Sequence, residues 1–191
     1  MFGGLHIEIA SLKIIGDWLD SSGWTTAISS AGIATGGVAD SLLKVAHVTQ
    51  TRHAHQVTAA ALFILQHNAY DRYTTTVSDE EQQLDFAAWR EKMSAEQPQF
   101  QYWALVLELQ LCILQIIEAI RKGDFPLYLE SLVLFIPWVF SLDRINDARW
   151  LSVHIRDMYS LSIMHPSIYQ EFVSGRFVAY KRQHAPSLLW H

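Results

Sequence analysis

The sequence predicts a mainly α protein, an irregular helical bundle around a long central antiparallel helix pair, with room for one or two short edge strands. Three observations carry this. Phe100, Trp103, Leu107, Leu111, Leu114 and Ile117 recur at three- and four-residue steps, which stacks side chains along one helical face. The short link Lys122-Gly123-Asp124 then leads into a second apolar arm at 127–142, and so short a link favours an antiparallel return. Elsewhere the apolar positions again fall at helical spacing, and residues 177–180 are the one convincing strand-like run.

In chain order, Ile7, Ala10, Ile14, Trp18 and Leu19 mark a first helix that stops at Ser21-Ser22-Gly23. Residues 24–31 read as a short helix bounded by Gly32 and Gly36-Gly37. From Val38 a shorter and a longer helix follow, divided near Val48 and Thr49, with Leu62, Leu65, Ala69 and Tyr73 on the later apolar face. Thr74-Thr75-Thr76 reads as a linker, and Ser78 with Glu81 as a capping box for a helix carrying Leu84, Trp89 and Met93. Pro98 suits the first turn of the long helix, and Arg121 and Lys122 suit its negative end before Gly123. The arm 127–142 is apolar on most faces and is expected at the centre, kinked or ended at Pro137. Residues 143–149 and 151–158 read as a bent helical stretch, and Pro166 opens a short helix that ends before Gly175.

These 191 residues suit one domain with a real core, taken as 1–180, followed by a divergent tail at 181–191. Half the residues are apolar and 17% are charged, outside the disordered regime. A net charge of −5 argues against a protein that coats nucleic acid by charge alone. The single cysteine, Cys112, gives neither a disulfide framework nor a thiolate metal cage and reads as a buried, inert thiol. No secretory signal is recognisable, so an intracellular protein is expected. Glu108, Gln110, Gln115, Glu118 and Glu130 interrupt every span of about 20 apolar residues, which favours a core helix pair over a membrane hairpin at 102–142.

Chemistry-bearing motifs are sparse. His6-Ile7-Glu8 has the His-x-Glu form of zinc deaminases, but their Pro-Cys-x-x-Cys is absent, so a surface His and Glu at a helix start is the expectation. Neither a Walker loop, GxGxxG, HExxH nor a nucleophile elbow occurs. Arg52, His53 and His55, with Lys44 and His47, form a modest basic patch that reads first as a solvated face. On a helix His53 and His55 point about 200° apart and do not chelate one ion. The cluster from Asp143 to Asp157 is the richest in polar side chains. If helical, it sets Asp143 and Asp147 on one face with His154 two turns on, a set able to hold a hard cation or to form an ion-pair network, the second being favoured.

Four stretches carry a resemblance: GGLHIEIASLKIIGDWLDSSGW, ADSLLKVAHVTQTRHAHQVTAAAL, FPLYLESLVLFIPWVFSLDRINDARWLSVHIRDM and HPSIYQEFVSGRF. Together they resemble an uncharacterised, multicopy family of animal proteins derived from DNA transposable elements. That resemblance implies a transposase-like protein with an RNase H-like nuclease core interrupted by a helical insertion, cutting DNA with two divalent metals held by acidic residues. This chain resembles the strand end around His6 plus the helical insertion, without the family's upstream acidic strand or its downstream His-Glu-Gln-Asn-Asn motif. Arg144 stands where that pattern has His, and Asp147 where it has Tyr.

The resemblance implies a DNA-associated fragment, not catalytic on its own and nuclear if transposase-derived. His6, Glu8, Asp143, Asn146 and His154 are the remnant-site candidates, and Arg52, His55 and Arg149 the nucleic-acid candidates. Magnesium is implied only for an intact core, and the partners implied are DNA, the remainder of the nuclease fold, or a second copy. The alternative is a helical protein-interaction scaffold with Trp138, Trp150 and Trp190 as anchors.

Overall fold

The computed structural model describes residues 4–76 and 83–176. These form α1 (Gly4–Leu19), α2 (Trp24–Ser30), α3 (Gly36–Leu43), α4 (Val48–Thr76), α5 (Phe86–Glu96), α6 (Pro98–Lys122), α7 (Phe125–Ser141), α8 (Ile145–Met164) and α9 (Pro166–Glu171), then a π-helical turn at Phe172–Arg176. No strand occurs among the described residues, and the strand expected at 177–180 lies outside them. The capping box of Ser78 and Glu81 lies outside them too. The N-cap of α5 is Asp85, whose carboxylate accepts from the Ala88 N–H at 2.8 Å.

The antiparallel pair is α6 and α7, and its turn is built from the sequence as expected. Gly123 takes φ 70° at the end of α6, the Asp124 N–H reaches the Ala119 carbonyl at 2.9 Å, and the Asp124 carboxylate caps α7 through the Leu127 N–H at 3.0 Å.

The centre, however, is α6 and not α7. Helix α6 packs against α1, α4, α5 and α7, whereas α7 packs chiefly on α6 and α8, leaving Val133, Leu134 and Phe140 exposed. Burial on α6 therefore extends well beyond one stripe. Val106, Leu109, Ile113 and Ile116 are enclosed, while Leu111, placed on the inner face by the periodic reading, is 48% exposed. By length and composition α6 is long and apolar enough to cross a membrane, contrary to the interruptions counted in the sequence. In the fold its apolar sides are covered by neighbouring helices.

Three boundaries move. Helix α4 runs through Thr74, Thr75 and Thr76, whose hydroxyls bond back to carbonyls three or four residues earlier in the helix. Pro137 does not end α7, which runs on to Ser141. It is exposed, so the Val133 carbonyl that loses a partner faces the solvent side. Helix α8 is one element of 20 residues, and Asp143 precedes it with φ 55°, closing α7 as the Arg144 N–H reaches the Val139 carbonyl at 3.0 Å.

One close approach fixes the N-terminal layer. A Cβ built on Gly16 of α1 would lie 2.2 Å from the Leu43 carbonyl oxygen at the end of α3, so only glycine fits. Tyr102 of α6 adds a hydroxyl bond to the Trp18 carbonyl at 3.0 Å, and Trp18 packs on Trp138 with ring centres 5.8 Å apart. Trp138 is thus part of the packing, not a free anchor.

Candidate functional site

Helix α4 places Thr51, His55 and Thr58 on one buried face by its three- and four-residue spacing, with Arg52 beside them. The Arg52 guanidinium meets the Glu8 carboxylate of α1, and both side chains are largely closed to solvent. One helical turn on, His55 is 2% exposed. Its ring stacks on Trp24 with centres 5.1 Å apart, and its Nδ1 lies 3.1 Å from Nε2 of Gln110 on α6. The Trp24 indole N–H donates to Thr58 Oγ1 at 2.8 Å, and the Thr58 hydroxyl donates to the Ala54 carbonyl. A polar seam therefore ties α1, α2, α4 and α6 together.

Burial pushes the His55 ring pKa down to about 4, so at neutral pH the ring is uncharged. With the Gln110 amide donating to Nδ1, the ring proton sits on Nε2. That Nε2, the Gln110 carbonyl oxygen and Thr51 Oγ1 have no protein partner. A neutral imidazole under a tryptophan ring has no surface from which to meet phosphate, and the seam is a device for joining helices.

The solvated basic patch holds for Lys44, His47 and His53, which are exposed, and is corrected for Arg52 and His55, because the burial of α4 against α1 and α6 takes both inward. Glu8 is likewise no surface residue, at 6% exposure. His6 is exposed in the first turns of α1 and borders a small cavity of about 50 Å³ that Asp147 and Trp150 of α8 also line.

The polar cluster around α8 disperses. Asp143, Asn146 and Arg149 are exposed, whereas His154 turns inward with Nε2 2.9 Å from the Tyr128 hydroxyl of α7. Burial lowers the His154 pKa, against a smaller opposing effect of Asp157, and raises that of Tyr128 beyond its ordinary range. Because Asp143 sits outside α8, it shares no helical face with Asp147. Among the described residues no group of three or more His, Cys, Asp or Glu side chains is placed to hold a metal. The favoured ion-pair network exists in part. Arg144 pairs with Asp17 of α1, and Arg156 with the adjacent Asp157 at 2.7 Å. Cys112 is buried, its thiol donating to the Ser131 carbonyl at 3.6 Å, and burial raises its pKa to about 11, as an inert thiol requires.

Sequence reasoning missed Thr51, Trp24, Gln110 and Tyr128. Gln110 carried the one available signal, a polar residue inside an apolar helix, which needs a buried partner.

The described fold defines a helical bundle joined by an internal polar seam. Residues 69–190 match the family profile described as a domain of unknown function (DUF8702), and the chain belongs to that family. No curated protein and no solved structure matches it.

Proposed function

We propose that this chain is a helical docking module of a transposable-element-derived, transposase-like protein, acting by contact between protein surfaces and not by cutting DNA with its own residues. The observation that carries the reading is the apolar end formed by α8 and α9. Ile163 is 81% exposed and Met164 67%, with Tyr159 one turn before and Ile168 just beyond. Large side chains this open, grouped at one end, are the ordinary mark of a contact surface.

The occupant proposed for this face is another protein surface of the same parent, an RNase H-like core of the kind the resemblance implies. In its absence a second copy is the available substitute. Direct DNA contact draws little support from the seam, where Arg52 and His55 face inward, and rests on Arg149.

The test is sedimentation velocity over a hundredfold range of concentration, with and without duplex DNA at two salt concentrations. Reversible self-association that Ile163→Glu with Met164→Glu abolishes supports the docking reading. Salt-sensitive DNA binding by a monomer, weakened in Arg149→Ala, would replace it with the DNA-associated reading.

A further inference from the structure

A second feature lies away from the α8–α9 end and borders the polar seam on its outer side. A cleft of about 490 Å³ lies between α2, α4 and the first turns of α6. Trp24, Ile28, Thr58 and Ala104, all buried, form its floor, with Phe100 and Trp103 along one side. The opening exists because the facing positions are small: Ala27 on α2, Ala31 just after it, and Ala61 and Ala69 on α4 are exposed and leave the space between the helices unfilled.

Its chemistry is uniform. Among the described residues no ionisable side chain lines it, and the two polar groups at the floor, the Trp24 indole N–H and the Thr58 hydroxyl, are already engaged, one with the other and the second with the Ala54 carbonyl. Among the described residues the remaining hydrogen-bonding side chains of the lining are Gln66 and Gln99, one turn or less from the outer ends contributed by α4 and α6. From Val57 to Ala69 the α4 wall is about 18 Å long at 1.5 Å per residue. A volume in the range of small-ligand pockets, drawn out over that length, is narrow.

We propose that this cleft binds a single elongated hydrocarbon chain with an uncharged polar head. The chain lies on Trp24, Phe100 and Trp103, and the head is left beside Gln66 and Gln99. An ionised head would find no cation in the lining, whereas an alcohol or amide finds amides that both donate and accept.

The test uses the full chain and the neutral fluorophore N-phenyl-1-naphthylamine, excited directly and through Trp24 and Trp103. Saturable one-to-one binding is expected, with displacement by 1-dodecanol at least tenfold more effective than by dodecanoate. Ala61→Trp and, separately, Ala27→Trp fill the cleft from exposed positions and should weaken probe binding tenfold or more at unchanged helicity; the second variant decides if the first fails to fold. Absence of saturable binding, equal binding in both filled variants, or preference for dodecanoate would overturn the proposal. So would a dimer that Ala61→Trp dissociates, since a second copy would then be the occupant.

Discussion

Arg52, in the first turns of α4, donates from Nε at 2.7 Å to the carboxylate of Glu8 in α1, a contact that spans 44 residues of sequence and is nearly closed to water. It commits two residues that sequence reasoning assigned to a nuclease remnant and to DNA to the joining of two helices. Removing one partner leaves the other charge buried and uncompensated. Glu8→Met or Arg52→Met alone is expected to cost about 3–5 kcal/mol, whereas the two together should recover most of it. Urea unfolding of the four proteins checks this, and an additive double variant would show the pair to be uncoupled.

The seam also sets an acid limit. His55 has a folded pKa of about 4 against an ordinary value of 6.5, so the unfolded chain binds the proton first as pH falls. Stability should be level above pH 6.5, fall between pH 6.5 and 4, and level again with respect to this group below pH 4. The full loss is on the order of 3 kcal/mol. His154, lowered by burial as well, acts in the same direction. Unfolding free energies of the protein and of His55→Gln across pH 4–7.5 should differ in slope, the variant being flatter.

Gly16 offers a steric test free of charge. Its missing Cβ makes room for the Leu43 carbonyl, a backbone atom that cannot rotate away. Gly16→Ala should destabilise by at least about 1–3 kcal/mol despite the better helix propensity of alanine, because α1 and α3 must separate. A thermal midpoint at or above that of the parent would show that the layer yields.

Across α7 and α8, Tyr128→Phe removes the hydroxyl that faces His154 Nε2 and leaves a buried ring nitrogen unpaired. The expected cost is about 1–3 kcal/mol. Because the neutral ring loses its partner, the His154 pKa should also move, and its C–H resonances followed by NMR titration report that shift directly.

Much of the helical framework was legible in the sequence for local reasons. The Gly123-Asp124 turn is written in two adjacent residues, one tolerant of positive φ and one able to cap. The two-helix reading of α6 and α7 follows from it. What stayed hidden depends on distant partners. No local pattern says that Gln110 meets His55, that Arg52 meets Glu8, or that Arg144 pairs with Asp17. The same limit explains the misplaced centre. Helix α7 is the more uniformly apolar, yet α6 is the one surrounded, because α1, α4 and α5 pack along its sides while α7 is packed chiefly by α6 and α8. Asp143 was misread because its four-residue spacing from Asp147 looks helical, while the backbone there turns through φ 55° to end α7.

The most direct test of the docking reading is sedimentation velocity of the purified chain beside the Ile163→Glu, Met164→Glu variant, with and without duplex DNA. The account predicts reversible, concentration-dependent association of the parent, a monomeric and equally helical variant, and no salt-sensitive DNA complex. A parent that stays monomeric throughout and binds DNA in a salt-sensitive manner through Arg149 would contradict it.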